Sequence, residues 1–402
     1  MNRFDFLEEK LDLLEKQNLI RDERVFSTPQ LPKSKIGSKE YLLFSSSNYL
    51  SLSENEEILD IVKSKMKNIG MGSGGSRLTT GTHKLHIELE KMLSSSIGYE
   101  NSLLYSSGFM GNLGFLSAMC DKNTIVFSDE KNHASIIDGI KLSGATVQIY
   151  KHLDFLDLEN KLKKHPNNRK VVVSDGVFSM DGDILPLDKF CLIAKKYDAI
   201  SYVDDAHGFG VLGKNGLGIT DMYDTLPDAL LVTFSKAIGT SGAAILCSDL
   251  IRKYLYNSSR EFIFSTSLSP FDILMTMESL NYILENNSRI IKLMKNIDYL
   301  KEKLKDNGYD ILGNSHIIPI FIGNEEKAQK IFKNLLESGI FLSIIRFPAV
   351  PRNQSILRVT PMAEHSIKDL DFLVEKLNEC VRSINDWYIF IVYLKKSFLL
   401  VL

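Results

Sequence analysis

Residues 229–239 read ALLVTFSKAIG, an apolar run of strand length followed by Thr233, Ser235, Lys236 and Gly239. A continuous apolar run without polar alternation is typical of a strand that is covered on both faces of a parallel sheet. Ligands of such sheets bind beyond the carboxyl ends of the strands, which is where Lys236 lies. The stretch therefore predicts an α/β fold with a candidate functional lysine at the edge of its sheet.

Similar apolar runs alternate with helical patterns throughout residues 46–285. The other six are Ser102–Tyr105, Thr124–Phe127, Val147–Tyr150, Val171–Ser174, Ile200–Val203 and Ala243–Leu246. This alternation predicts a mostly parallel, seven-stranded sheet between helices. Longer helical stretches alternate with short strands after residue 286, which predicts a smaller α+β domain. We predict an N-terminal arm (1–45), a large domain (46–285), a small C-terminal domain (286–385) and an apolar tail (386–402).

The composition is that of an ordinary globular protein. The chain has 402 residues, 44% hydrophobic and 24% charged, which suits two or three domains with large cores. A net charge of −2 gives no electrostatic reason to expect nucleic acid or an anionic membrane as a partner. The four cysteines form no C-x-x-C pair, as expected for reduced thiols in the cytoplasm. An amphipathic helical pattern over Phe4–Lys16 stands where an export signal would be.

The C-terminal tail contains two apolar runs, residues 387–394 and 397–402, separated by Lys395 and Lys396. Each run is shorter than the ~20 residues that span a bilayer, so we predict no stable membrane insertion. Three interpretations stay open: a segment packed on the body or on a partner subunit, a dispensable extension, or a contact with a membrane surface.

Polar residues at several strand ends describe a cofactor site when they are taken together. Lys236 suits a Schiff-base lysine, and Asp204, after the run Ile200–Val203, suits a partner for the ring nitrogen of pyridoxal phosphate. His207 follows within reach of the ring hydroxyl. Ser106 and Gly108 open a helix whose free N–H groups suit a phosphate.

Two other patterns predict different chemistry. Residues 208–213 satisfy the G-x-G-x-x-G fingerprint of dinucleotide sites, but a turn-like segment follows where a helix should begin. Asp204, Asp205 and His207 are potential metal ligands together with His83 and His86, but no second matching cluster supports this. We predict no metal site.

Longer motifs, in a consistent order, resemble one known family. They are Ser46–Leu50, Gly72–Thr82, Leu85–Glu90, Ser106–Phe109, Asn132–Ser135, Gly176–Asp183, Val203–Gly208 and Thr233–Lys236. From about residue 21 to about residue 380 the chain resembles the pyridoxal-phosphate-dependent α-oxoamine synthases, which are fold-type I transferases. The resemblance implies pyridoxal 5'-phosphate as cofactor and a homodimer with active sites at its interface. The glycine-rich Gly72–Gly81 would then lie near that interface.

The resemblance implies a role for each of the cofactor's neighbours. Lys236 would bind the cofactor covalently and later remove the Cα proton of the amino acid. Asp204 would pair with the ring nitrogen, Ser179 and His207 would bond the ring hydroxyl, and His133 would stack on the ring and assist acid–base steps. The phosphate would be bound by Gly108, Phe109 and Thr233, with Ser235 and the Thr266 of a partner subunit as further contacts. Asp183 and Asp205 are expected to hold loops.

The resemblance also implies the substrates. Arg358 would bind the amino-acid carboxylate through a bidentate pair, with help from Asn48. Arg21, or the nearby Arg24, would contact the acyl substrate. Several stretches are most similar to the family member of biotin biosynthesis that joins L-alanine to a pimeloyl thioester, carried by coenzyme A or acyl carrier protein. That member usually has threonine, a substrate contact, where this chain has Ala349.

Other functions remain as alternatives. Another family member would keep the cofactor site and join glycine or serine to a different acyl group, as glycine C-acetyltransferase and serine palmitoyltransferase do. A non-catalytic cofactor-binding protein would be expected to lack Lys236, Asp204 or His133, and none of these is missing.

Overall fold

The computed structural model describes residues 3–17, 19–20, 23–67, 69–347 and 349–399, without the side chains of residues 384–399. The N-terminal elements are α1 (Asp5–Lys16), β1 (Lys33–Ile36) and β2 (Lys39–Leu43). Strands β1 and β2 form an antiparallel pair, and no side chain of α1 is buried.

The central part of the chain alternates strands and helices. Its elements are α2 (Glu56–Lys65), α3 (Lys84–Ile97), β3 (Asn101–Tyr105), α4 (Gly108–Met119), β4 (Thr124–Asp129), α5 (Ala134–Ser143), β5 (Thr146–Tyr150), α6 (Phe155–Leu162), β6 (Arg169–Asp175), α7 (Leu187–Lys196), β7 (Ala199–Asp204), α8 (Ile219–Tyr223), β8 (Ala229–Thr233), β9 (Ala243–Cys247), α9 (Asp249–Ser258), α10 (Arg260–Ile263) and α11 (Pro270–Glu285).

Seven of these strands form one sheet in the order β3-β9-β8-β7-β6-β4-β5. Strand β9 runs antiparallel to both of its neighbours, whereas the remaining pairs are parallel. Every residue of β8 and β9 is buried, because helices cover both faces of the sheet. The predicted mostly parallel, seven-stranded sheet is therefore confirmed, and each predicted run lies in one of its strands.

The C-terminal part has its own small sheet. Its elements are α12 (Ser288–Asp306), β10 (Ile318–Gly323), α13 (Glu325–Glu337), β11 (Ile340–Phe341), β12 (Ser343–Ile345), β13 (Ser355–Val359) and α14 (Ile367–Leu399). Strand β13 lies between β10 and β12, antiparallel to both, and β11 joins β2 in parallel. The domain boundaries given above remain a prediction.

Helix α14 extends from the small sheet into the apolar tail and continues to Leu399. Among the described residues, no helix combines the length and the apolar character that crossing a membrane requires. The same residues contain no group of three or more histidine, cysteine, aspartate and glutamate side chains that could hold a metal ion.

Candidate active site

One cavity of about 170 Å³ opens where the carboxyl ends of β6, β7 and β8 meet the first residues of α4 and α5. Most of the predicted site residues line it: Gly108, Phe109, His133, Ser179, Asp204, His207, Thr233, Ser235 and Lys236. The parallel sheet brings them together because neighbouring parallel strands end at the same edge.

The start of α4 presents free backbone N–H groups to the cavity. Ser107 caps this helix, and its hydroxyl accepts a hydrogen bond from the backbone N–H of Met110 at 3.2 Å. The next turn lies very close to the sheet, since a Cβ on Gly111 would stand only 2.6 Å from Leu231. The helix start is thereby held beside Thr233 at the end of β8, where an anion would find both N–H donors and a hydroxyl.

Asp204 is buried at the end of β7, and both of its carboxylate oxygens are hydrogen-bonded. Oδ2 accepts from Asn112 Nδ2 at 2.7 Å, and Oδ1 accepts from the backbone N–H of Ala206 at 3.0 Å. Asn112 Nδ2 also donates to Ser135 Oγ at 2.8 Å, while its Oδ1 accepts from the Tyr202 hydroxyl at 2.7 Å. The side chain of Asp204 is thus fixed as an acceptor facing the cavity.

His133 caps the start of α5 and is exposed on its cavity side. Its Nδ1 lies 2.7 Å from Ser135 Oγ, and its backbone N–H donates to Asp175 Oδ2 at 3.1 Å. Because Ser135 also accepts from Asn112, a continuous polar chain joins the ring of His133 to Asp204.

A second buried carboxyl group, Asp175, stands next to Asp204 in the register of β6 and β7. Burial raises the pKa of Asp175 well above its usual range, and the charge of Asp204 raises it further. Asp175 therefore favours its neutral form, whereas the neighbouring Asp204 accepts two hydrogen bonds.

Lys236 follows β8 and borders the cavity as a half-buried side chain. Its Nζ makes no hydrogen bond to any residue that the structure describes. Burial lowers the pKa of Lys236, an effect that the charges of Asp204 and Asp175 oppose and that of Arg358 reinforces. A lysine in this state is closer to the neutral amine that nucleophilic or base chemistry requires.

The loop that carries Ser179 is held by a histidine between two carboxylates. His152 Nδ1 lies 2.9 Å from Asp129 Oδ1, and its Nε2 lies 3.1 Å from Asp183 Oδ2. The imidazole packs edge-on against Phe178, with the ring centroids 4.4 Å apart. Asp183 therefore holds this loop, as predicted, rather than facing the cavity.

Asp205 packs closely against Gly208, the first glycine of the 208–213 motif, and against Gly218. Asp205 Oδ2 accepts from the backbone N–H of Ile219 at 2.7 Å. A Cβ on Gly208 would lie 2.1 Å from Asp205 Oδ1, and one on Gly218 would lie 2.0 Å from Asp205 Oδ2. Glycine is required at these two positions because the chain wraps around a buried carboxyl group. The other two glycines of the motif, Gly210 and Gly213, have φ angles of +88° and +85°, which favour glycine. Backbone conformation and packing therefore account for the motif without a dinucleotide.

Several predicted site residues lie outside this cavity. Asn48 borders a second cavity of about 550 Å³ that Lys236 also lines, and the Asn48 amide donates to Gln30 O and Ser53 Oγ. Arg358, on β13, is near enough for its charge to lower the pKa values of Lys236 and His207.

Two further predicted residues, Thr266 and Ala349, border neither of these cavities. Thr266 is exposed and borders a separate small cavity beside Arg77. Ala349 is exposed in the turn between β12 and β13, where its N–H donates to Arg346 O at 2.9 Å. Arg21 lies outside the described residues.

The sequence reasoning assigned no role to four residues that shape the site: Tyr49, Asn112, Ser135 and Asp175. Tyr49 and Ser135 stand inside motifs quoted above, next to or near assigned residues, so motif membership was an available signal. Asp175 directly follows a predicted strand, which was also a usable signal. Asn112 lies within a helix, and nothing in its sequence context indicates that its amide reaches Asp204.

Comparison with known proteins places the chain in a family. Residues 39–377 match the aminotransferase class I and II family. The chain belongs to this family. Its curated relatives include the 8-amino-7-oxononanoate synthases of Lysinibacillus sphaericus, 40% identical over 379 residues (93% of this chain, 97% of the relative), and Petrotoga mobilis, 40% identical over 390 residues (96% and 99%).

Solved structures extend the same result to the fold. A serine palmitoyltransferase from S. paucimobilis with a bound PLP–myriocin aldimine superposes with a TM-score of 0.88 at 28% identity, covering 95% of this chain and 98% of that one. The predicted fold-type I architecture of this aminotransferase class I and II member is confirmed.

Proposed function

We propose that this protein is an 8-amino-7-oxononanoate synthase, which condenses L-alanine with a pimeloyl thioester and releases CO2 and the carrier thiol. The proposal rests on 40% sequence identity to two curated synthases over nearly their whole length. The cavity supports it, since it joins a lysine of lowered pKa, a buried carboxylate and the N-terminus of a helix.

The donors and acceptors of the cavity fit pyridoxal 5'-phosphate. The backbone N–H groups of Gly108 and Phe109, with the Thr233 hydroxyl, would hold its phosphate, and Asp204 would accept from its ring nitrogen. Lys236 Nζ, which has no partner among the described residues, is available for the aldehyde carbon. When bound, the cofactor supplies an electron sink for negative charge that develops on the amino-acid Cα.

The other predicted contacts are assigned to the remaining polar groups of the cofactor. His207 and Ser179 would bond the ring hydroxyl, and His133 would stack on the ring. Ser235, and Thr266 of a partner subunit, would complete the phosphate site. In the described chain Thr266 is exposed and borders a separate cavity, which is compatible with a contact across an interface.

Arg358 would bind the carboxylate of L-alanine. Its Nε is buried and has no partner among the described residues, so a substrate carboxylate would satisfy an otherwise costly donor. Lys236 Nζ, in its neutral form, would then accept the proton from the alanine Cα.

The acyl thioester would approach through the second cavity, because Lys236 borders both cavities. Asn48 would contact substrate there and Arg21 would contact the acyl carrier or the distal carboxylate. At Ala349 the substrate contact expected of a threonine would be lost or made by another group. We further propose a cytoplasmic homodimer with shared active sites.

The proposal is tested with the purified protein, loaded with pyridoxal phosphate. L-Alanine, glycine and L-serine are titrated while the cofactor absorbance is recorded, and pimeloyl-CoA is then added while thiol and CO2 release are measured. Saturation and turnover with L-alanine are expected. Preference for glycine or serine would assign the protein to another member of the α-oxoamine synthases, and absence of a bound cofactor would overturn the proposal.

A further inference from the structure

Tyr49 stands behind the active site and touches one of its residues directly. The side chain is fully buried, and its hydroxyl lies 2.7 Å from His207 Nδ1. The ring packs edge-on against His316, at a centroid distance of 4.3 Å. The other nitrogen of His207, Nε2, has no partner among the described residues, and His207 lines the cavity.

The surroundings decide which nitrogen of His207 carries the proton. Burial lowers the pKa of His207 well below its usual range, and the charges of Lys236 and Arg358 lower it further, so the imidazole is neutral. A neutral imidazole has one donor and one acceptor nitrogen. The direction of the Tyr49 hydrogen bond therefore fixes the state of Nε2.

The burial of Tyr49 sets that direction. Among the described residues, the Tyr49 hydroxyl has one hydrogen-bond partner, His207 Nδ1, and a fully buried phenolic proton without an acceptor would be costly. Burial also raises the pKa of Tyr49, which keeps the phenol protonated. The phenol therefore donates to His207 Nδ1, and the ring proton of His207 lies on Nε2, at the cavity.

We propose that Tyr49 is a positioning residue that keeps His207 in the Nε2–H form. The inference rests on the proposed function, in which His207 bonds the cofactor hydroxyl. The Tyr49 phenol would then hold in place the Nε2–H donor that His207 offers to that hydroxyl.

The charged and titratable groups that face His207 come from several elements. Lys236 follows β8, Arg358 lies on β13, His316 precedes β10 and His133 caps α5, and each lowers the pKa of His207. None of them changes when the Tyr49 hydroxyl is removed. A change in the titration midpoint of the bound cofactor that follows removal of this hydroxyl therefore reports the Tyr49 hydrogen bond, and not the electrostatic effect of the other groups.

The test compares Tyr49→Phe with Tyr99→Phe in the cofactor-loaded protein. Tyr99→Phe removes a half-buried phenol that donates to Pro227 O at 2.8 Å, away from the site. An Nε2–H that stabilises the ionised cofactor hydroxyl lowers the pH at which the bound cofactor titrates. Tyr49→Phe is expected to raise this absorbance midpoint by about 0.5–1 unit, the size of one buried hydrogen bond, and Tyr99→Phe to leave it unchanged.

A further variant separates the possible failures. Replacement of Tyr49 by 3-fluorotyrosine keeps the packing and strengthens the phenol as a donor, so it should lower the midpoint. An unchanged midpoint in both Tyr49 variants would overturn the inference, whereas failure of the unsubstituted protein to bind the cofactor would overturn the proposed function instead.

Discussion

Asn112 Nδ2 lies 2.7 Å from Asp204 Oδ2 and donates a hydrogen bond to it. Asn112 belongs to α4, the same helix whose first residues would hold the cofactor phosphate. One helix therefore fixes both ends of the proposed cofactor site: its N-terminus offers N–H groups, and its fifth residue orients the carboxylate at the far end. The distance between these two features is set by helical geometry and does not depend on a flexible loop.

Asn112→Ala is expected to weaken cofactor binding about tenfold, the size expected for one lost hydrogen bond to a charged group. It leaves Asp204 Oδ2 and the Tyr202 hydroxyl without their partner. Fluorescence titration of the apoprotein with pyridoxal phosphate measures the change. Tyr202→Phe removes only the bond on the opposite side of the amide and should have a smaller effect. Equal affinities in Asn112→Ala and the unsubstituted protein would contradict the role of Asn112.

The sheet and much of the site could be predicted because each depends on local sequence. Continuous apolar runs identify strands that are buried on both faces, and polar residues that follow them must meet at one sheet edge. Lys236, Asp204 and His207 were found in this way, and all three line one cavity.

The polar network could not be predicted because it depends on how closely α4 lies on the sheet. Gly111 and Gly114 allow that approach: a Cβ on Gly114 would be 2.7 Å from the ring of Tyr105. Only this packing brings Asn112 to Asp204.

The positions of Thr266 and Ala349 could not be predicted for a different reason. Their expected roles depend on a resemblance, and neither residue lines the cavity of the single chain.

Lys236→Ala is expected to abolish turnover and covalent retention of the cofactor. Borohydride reduction followed by mass spectrometry of the intact chain measures retention directly. Lys301→Ala is a matched control, because burial also lowers the pKa of Lys301, whose Nζ donates to Ser315 O at 2.7 Å outside the cavity. The expected result is a mass gain in the unsubstituted protein and in Lys301→Ala only. A reduced adduct in Lys236→Ala would refute the assignment.

His152 should make stability depend on pH in the alkaline range. Burial alone would lower its pKa, but the hydrogen bonds that its ring donates to Asp129 and Asp183 overcome this and raise the pKa from 6.5 to about 9. Because the folded state binds this proton more tightly than the unfolded chain, the stabilisation is complete below pH 6.5 and is lost as the pH rises through about 9.

Melting temperatures of the unsubstituted protein and His152→Gln, measured between pH 6 and pH 10, check this linkage. The unsubstituted protein should be the more stable at about pH 6, and the difference should shrink steadily toward about pH 10. Lys196→Gln removes a surface ion pair with Glu159 and serves as control, with a small difference at every pH. A constant difference for His152→Gln would show that the imidazolium form is not what holds the loop.

Gly208→Ala is expected to destabilise the protein by about 1–3 kcal/mol, because the added methyl group would overlap Asp205 Oδ1. Asp205→Ala should also be destabilising, since the N–H of Ile219 loses its acceptor. In the double variant the overlap is gone, so Gly208→Ala should cost clearly less in the Asp205→Ala background. Denaturant unfolding of the four proteins gives this coupling energy. Strictly additive changes in the free energy of unfolding would contradict the overlap. Retention of a nicotinamide dinucleotide that Gly208→Ala releases would instead favour a ligand-binding role for the glycine motif.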